Sequence, residues 1–356
     1  MGFHEFSSPY DWSRIAAYKR TAKAAFGGMI DLSVGSPVDP VPDSVRKALA
    51  VAANDPNAYG YPATAGTADL RAAIAEWFSA TRNVDLQAIH ADVVPTVGSK
   101  EGVALMASLL HFGEDDVVVQ PKVSYPTYEI GTQLAGAQVL KVDDVADVAS
   151  WRNVPGVKAV WVNSPCNPTG EVYSAERMAG IVAAAREIGA VVLSDECYAL
   201  MQWRGATNSA DDDPLQSTPC ALRSDVCAGS AEGVLVLYSL SKQSNMAGYR
   251  TAFIAGDESL IASMSAYRKQ IGQIIPGPVQ AAMAAGLRDL ESVKVQHARY
   301  RERLGVLVSA LRAYGYCTDM PDGALYVWVR AKSGDCWTDM EQLANCLLYT
   351  SDAADE

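Results

Sequence analysis

No stretch of this sequence approaches the roughly 20 apolar residues that a helix needs to cross a bilayer, so no membrane span is expected. The opening residues, Met1-Gly2-Phe3-His4-Glu5, lack a basic region followed by an apolar run, so no signal peptide is expected either. Histidine is scarce, at 4 residues in 356, and none stands beside a second ligand at helical or finger spacing, which argues against a metal site. The 7 cysteines (Cys166, Cys197, Cys220, Cys227, Cys317, Cys336, Cys346) include no CxxC pair and are odd in number. They do not describe a disulfide framework, and a reducing, cytoplasmic setting suits them. Positive charge is also short: 29 Lys and Arg stand against 41 Asp and Glu, a net charge of −12. A basic footprint for nucleic acid is therefore absent, and an anionic membrane surface would repel the chain. Neither GxxxxGK[ST] nor GxGxxG occurs, so a P-loop and a dinucleotide fingerprint are excluded.

What remains is ordinary globular material, 49% hydrophobic, long enough for two domains around sizeable cores. Short apolar runs alternate with helical patterns, which predicts βαβ units and a largely parallel sheet. The expected strands are Val93–Val97, Asp116–Gln120, Gln138–Val142, Ala159–Asn163, Val191–Ser194, Val234–Tyr238 and Ala252–Ala255. Helices are expected over Glu101–His111 and Ser174–Ile188, the second capped by Ser174. A long helical run from Pro276 to about Tyr314 is expected to lead into a smaller α/β segment, with Leu325–Val329 as a strand. The expected division is an N-terminal arm over 1–40 that joins the small domain, a large domain over 41–285, and the small domain over 286–346. Ala206–Pro214, with three consecutive aspartates, reads as a solvated loop.

The chemistry gathers at strand ends. Lys242, in Ser239-Leu240-Ser241-Lys242-Gln243-Ser244, follows the strand Val234–Tyr238, and Arg250 comes eight positions later. Ligands bind at the carboxyl edge of open parallel sheets. There an amine can form a Schiff base with an aldehyde, while hydroxyls and a guanidinium hold a phosphate. Alone, Ser-x-Ser-Lys more often marks a surface loop. The strand Val191–Ser194, however, runs into Asp195-Glu196-Cys197-Tyr198. A carboxylate in that position can keep the pyridine nitrogen of pyridoxal 5′-phosphate (PLP) protonated, which makes the ring an electron sink. A third strand ends in Ser164-Pro165-Cys166-Asn167-Pro168-Thr169-Gly170. Its turn residues present Asn167 at the same edge, where that amide and the phenol of Tyr198 can bond the cofactor's phenolic oxygen. The fourth piece is Gly98-Ser99-Lys100, at a strand-to-helix junction whose free N–H groups suit the phosphate.

In these motifs the sequence resembles the fold-type I, class I/II aminotransferases across nearly its whole length. The resemblance implies an α/β fold with a large domain built on a mostly parallel seven-stranded sheet flanked by helices, and a smaller α/β domain. It implies that Lys242 holds PLP covalently and shuttles a proton, that Asp195 pairs with the pyridine nitrogen, and that Asn167 and Tyr198 bind the phenolic oxygen. Ser239, Arg250 and the Gly98-Ser99-Lys100 turn match phosphate ligands. Tyr125, in Ser124-Tyr125-Pro126-Thr127-Tyr128, matches the aromatic that stacks on the ring, and sits four residues after Pro121 where many members have two. Tyr61 matches a tyrosine that reaches the neighbouring subunit's phosphate, which implies a homodimer with shared active sites. Gly35, in Val34-Gly35-Ser36-Pro37, matches the backbone that meets the substrate carboxylate, and Asn167 belongs to the substrate site as well. Thr251, after the arginine, stands where an aliphatic residue is more usual.

A narrower likeness rests on Leu32–Pro40, Gly60–Thr67, Ser194–Tyr198 and Pro276–Met283. These segments are similar to actinobacterial succinyldiaminopimelate aminotransferases, which exchange an amino group between glutamate and N-succinyl-2-amino-6-oxopimelate in lysine and diaminopimelate biosynthesis. Another amino-acid transamination, or a C–S lyase reaction on the same scaffold, is the alternative, since fold does not fix function. A DNA-binding sensor built on this fold would carry a basic module, and the acidic balance argues against one. The family's substrate-carboxylate arginine is expected some tens of residues after Val329, beyond the last residue of this sequence. Residues 347–356 resemble a translated frame of a transposon sequencing adapter and are expected to be a non-native tail.

Overall fold

The computed structural model describes residues 12–24, 28–29, 31–32, 35–203, 215 and 218–343. The expected loop over 206–214 and the expected tail over 347–356 lie outside the described residues. All seven expected strands are present: β1 (Ala91–Val97), β2 (Val117–Pro121), β3 (Gln138–Val142), β4 (Val157–Asn163), β5 (Val191–Asp195), β6 (Val234–Ser239) and β7 (Thr251–Asp257). They form one sheet in the order β1-β7-β6-β5-β4-β2-β3. The pairs from β3 through β6 are parallel, whereas β7 runs antiparallel to both of its neighbours. The central strands are rich in Val and Leu and almost wholly buried because helices cover both of their faces.

The helices are α1 (Ala16–Ala24), α2 (Asp43–Ala53), α3 (Ala68–Trp77), α4 (Ser99–Leu109), α5 (Thr127–Leu134) and α6 (Ala175–Glu187), then α7 (Ser224–Cys227), α8 (Leu240–Gln243), α9 (Glu258–Gln270), α10 (Gly277–Arg288) and α11 (Leu290–Ala313). Ser174 caps α6 as its sequence predicts, its hydroxyl accepting from the Arg177 N–H at 3.2 Å. One apolar layer packs residues such as Trp77, Phe78, Tyr238 and Phe253 with α2, α3, α6 and α10. The layer on the other face joins Val103 and Met106 of α4, Tyr128 of α5 and Met264 of α9 to Leu235, Leu237 and Ile254.

Two expectations are corrected. The helical run after Pro276 is two helices, because Asp289, with φ −85° and ψ 68°, leaves the helical region between them. Residues 325–329 are not a strand, despite their alternating pattern of β-branched and aromatic residues. A ladder needs a partner edge, and the residues just before this segment dock on loops instead: Gly323 N–H donates to Gly170 O at 2.9 Å and Ala324 N–H to Met201 O at 2.9 Å.

The chain separates into two compact units, Ser36–Val308 with Asp319–Trp328, and Met1–Gly35 with Ser309–Thr318 and Val329–Glu356. Residues 286–308 go with the larger unit, since Tyr300 and Leu304 pack with Met201, Trp203 and Ala324 in one buried cluster. In the smaller unit the Asp339 carboxylate gathers the Tyr316 hydroxyl at 3.1 Å and the Ser333 N–H at 3.0 Å.

Candidate active site

Parallel register sets the site. Asn163 pairs with Asp195 across β4 and β5, and Asp195 with Leu237 across β5 and β6. The polar ends of β4, β5 and β6 therefore share one edge of the sheet. Because β7 is antiparallel, its first residue, Thr251, stands beside Val97, the last residue of β1. That brings Gly98 and Arg250 to the same edge.

Gly98 and Arg250 approach so closely that a Cβ on Gly98 would stand 2.1 Å from the Arg250 Nη2. Gly98 has φ 77° and Arg250 φ 56°, both in the left-handed region. The Arg250 Nη1 donates to Ala247 O at 2.9 Å. Beside them the Ser239 Oγ caps the one-turn helix α8, accepting from the Ser241 N–H at 3.1 Å and lying 2.8 Å from the Ser241 Oγ. Backbone N–H groups at the start of α4, a guanidinium and two hydroxyls make up a cradle suited to a phosphate.

Lys242 sits on α8, and burial pulls its ammonium below the usual lysine range, with the nearby Cys197 thiol acting the other way. Burial pushes the Cys197 thiol well up, as does the Asp195 carboxylate, while the Ser99 hydroxyl and Lys242 counter them. Ser99, Asp195, Cys197 and Lys242 are thus electrostatic neighbours. Asp195 is buried. Its Oδ2 accepts from the Tyr128 hydroxyl at 2.7 Å and its Oδ1 from the Cys197 N–H at 3.2 Å. Burial raises this carboxyl, and the Tyr128 and Cys197 bonds offset part of the rise. A carboxylate buried on neutral donors is costly until a cation pairs with it.

Tyr128 is held by stacking on Trp161, with ring centroids 4.4 Å apart and planes at 15°. Tyr125 meets Tyr128 edge-on at 5.7 Å, and the Lys100 Nζ lies 5.8 Å from the Tyr125 ring centre. Asn163 locks the turn that carries Asn167, its Oδ1 accepting from the Asn167 N–H at 2.7 Å and its Nδ2 donating to Asp195 O at 3.0 Å. The Tyr198 hydroxyl stands 2.8 Å from that of Tyr326.

Gly98, Ser99, Lys100, Tyr125, Asn167, Asp195, Tyr198, Ser239, Lys242 and Arg250 therefore come from the β1, β4, β5, β6 and β7 ends and the α5 start. Tyr61 is not gathered in; its side chain is fully exposed. Gly35 falls in the smaller compact unit. Sequence reasoning missed Tyr128, Asn163, Cys197 and Tyr326. The nearness of Tyr125, just ahead of α5, to Tyr128 in the first turn of that helix was a usable signal, whereas nothing local marks Tyr326.

Beneath the edge, Glu196 is wholly buried against the Arg82 guanidinium and accepts from the Ser194 Oγ at 2.9 Å and the Ala221 N–H at 2.8 Å. This brace holds the turn between Asp195 and Tyr198.

Comparison with known proteins gives a consistent picture. The family described as Aminotransferase class I and II matches residues 27–350. A 4-dedimethylamino-4-oxo-anhydrotetracycline transaminase of Streptomyces rimosus is 39% identical, over 97% of this chain and 90% of its own length. A Mycobacterium tuberculosis protein described as a probable aminotransferase is 40% identical, over 90% of this chain and 72% of its own. Among solved structures, one described as a probable N-succinyldiaminopimelate aminotransferase, from Thermus thermophilus, superposes with a TM-score of 0.77 at 28% identity, over 90% of this chain and 84% of its own.

Proposed function

Because the chain belongs to the class I and II aminotransferases, a PLP-dependent family of enzymes, we propose that it moves an amino group from glutamate to N-succinyl-2-amino-6-oxopimelate, with Lys242 as the residue that holds the cofactor. The observation that carries the assignment of the site is a burial-depressed amine and a buried carboxylate that both act on Cys197, beside a phosphate cradle. These residues fit PLP part by part. The carboxylate suits its pyridinium, the amine its aldehyde, and the Gly98–Arg250 approach its phosphate.

When bound, PLP supplies an aldehyde that captures amines and a ring that accepts electrons from the substrate Cα. Lys242 would hold the cofactor through its amine, and the burial that lowers its pKa raises the unprotonated fraction able to do so. The same amine, when free, would move a proton at the substrate Cα. Asp195 pairs with the pyridine nitrogen and keeps it protonated, and Tyr128 and the Cys197 N–H aim the carboxylate. Asn167 and Tyr198 donate to the phenolic oxygen, and Tyr125 covers a ring face. Gly98, Ser99, Lys100, Ser239 and Arg250 hold the phosphate. Asn167 meets the substrate carboxylate, and Tyr61 serves the partner subunit of a homodimer. The two half-reactions use this one site in turn.

The acceptor reading is supported by the segments around Gly35, Tyr61, Asp195 and Pro276, and by the likeness to the Thermus thermophilus structure, itself described as a probable N-succinyldiaminopimelate aminotransferase. The Streptomyces transaminase, whose name gives a tetracycline precursor, supports a second acceptor class, a ring ketone. Absorbance of the PLP-loaded protein tests the reading. The visible band is expected to change on adding glutamate, and Lys242→Ala to lose that response. A Lys242→Ala protein that still converts glutamate at the wild-type rate overturns the lysine assignment. Turnover with the unsuccinylated acceptor equal to that with the succinylated one overturns the acceptor.

A further inference from the structure

We propose that Tyr326 is a positioning residue for Tyr198: its hydroxyl donates to the Tyr198 oxygen and strengthens the bond that Tyr198 gives to the phenolic oxygen of bound PLP. This rests on the reading of Tyr198 given above.

The two hydroxyls are 2.8 Å apart and their rings meet edge-on at 5.9 Å. The approach is built by backbone. A Cβ on Gly170 would stand 2.8 Å from the Pro321 Cβ and 2.9 Å from Gly323 O. One on Gly323 would stand 2.8 Å from both Met201 O and the Pro165 ring. Two glycines therefore let the segment before Tyr326 lie against the turn of Asn167 and against the chain just after Tyr198. Three backbone bonds then fix it: Gly323 N–H to Gly170 O at 2.9 Å, Ala324 N–H to Met201 O at 2.9 Å, and Trp203 N–H to Asp322 O at 2.8 Å. The Trp203 indole N–H adds a bond to Ala324 O at 2.5 Å.

Burial pushes both phenols above their ordinary range, so both keep their protons across the working range of pH. Among the described residues, the titratable groups that act on the pair are Asp195 and Cys197 on the Tyr198 turn and Tyr125 ahead of α5. None is a cation that would replace Tyr326 as donor. A phenol has one proton. Once an anionic oxygen takes that of Tyr198, its lone pairs are left to accept from Tyr326, and hydrogen bonds in such a chain reinforce one another.

The consequence is spectroscopic. A stronger Tyr198 donor stabilises negative charge on the cofactor's phenolic oxygen, the state left when the Lys242–cofactor linkage releases its proton. The pH midpoint of the visible band therefore falls when Tyr326 is present. Tyr326→Phe keeps the ring and removes only the hydroxyl. It is expected to raise the midpoint by about half to one pH unit, since a hydrogen bond is worth about 0.5–1.5 kcal/mol and one pH unit 1.36 kcal/mol.

The experiment is a pH titration of the visible absorbance of PLP-loaded wild type, Tyr326→Phe, Tyr198→Phe and the double variant, with thermal midpoints measured alongside. An upward shift in Tyr326→Phe that adds nothing on top of Tyr198→Phe supports the inference. An unchanged or lowered midpoint in Tyr326→Phe, with Tyr198→Phe shifted, overturns it and leaves the reading of Tyr198 standing. No shift in either variant overturns that reading and the inference with it. A loss of thermal stability without a midpoint shift marks Tyr326 as structural only and overturns the inference as well.

Discussion

At Gly98 a single hydrogen atom separates a working cradle from a blocked one. The positive φ of 77° is strained for any residue with a Cβ, and the Arg250 guanidinium occupies the space where that carbon would go. Gly98→Ala is expected to displace Arg250 and weaken PLP binding by about tenfold or more, or about 1.4 kcal/mol. Titrating PLP into the two proteins checks this, and equal affinities would show that the cradle does not hold the phosphate. Tyr128 illustrates another residue-scale point. Its hydroxyl orients Asp195, yet its place in the sequence shows only a second tyrosine near Tyr125. Its stacking on Trp161 joins positions 33 residues apart, and no local pattern encodes that.

Elements are held in place by charges that the strands themselves do not supply. The Arg82–Glu196 pair ties the π-helical segment Phe78–Arg82 to the turn after β5, both side chains being fully buried. Removing one partner leaves the other charge buried and unpaired. Arg82→Ala is expected to cost about 3–5 kcal/mol, read by denaturant unfolding. The start of the larger unit is tied to α11 in a different way. Arg303 donates to both oxygens of Asp39, at 2.6 and 2.8 Å, and Gln296 adds a bond at 2.9 Å. The Arg303 bond is the main reason that the Asp39 carboxyl is held down to about 2 from 3.8. A carboxyl lowered in the folded state stabilises the fold above its unfolded value, and that contribution is lost as pH falls through the folded one. The stability advantage of wild type over Asp39→Asn is therefore expected to shrink between pH 3.8 and about 2. An advantage that stayed constant across that window would refute the linkage.

The whole molecule leaves Tyr59 and Tyr61 exposed, on the segment that the proposed homodimer uses. If Tyr61 serves the neighbouring subunit, mixing Lys242→Ala with Tyr61→Ala protein creates heterodimers with one intact site. Activity is expected to reappear on mixing and to scale with the fraction of heterodimer. A mixture no more active than its parts would place Tyr61 outside the partner's site.

The linear order of residues already determined the seven strands, the helices after β1 and β4 and the polar residues at the strand tips. These follow from period-two and period-3.6 apolar patterns, and from the small and polar residues that end them. The lysine, aspartate, asparagine and arginine motifs were legible for the same reason, since each lies within a few residues of a strand end. Only the tertiary structure decided that β7 runs antiparallel between β1 and β6, which sets Arg250 against Gly98. It alone refused a strand to residues 325–329 and laid the preceding segment against the Asn167 turn, so that Tyr326 meets Tyr198. Local sequence carries propensity, but a ladder, a buried ion pair or a hydroxyl pair needs a second surface. That surface comes from chain more than 100 residues away, as it does for Tyr198 and Tyr326.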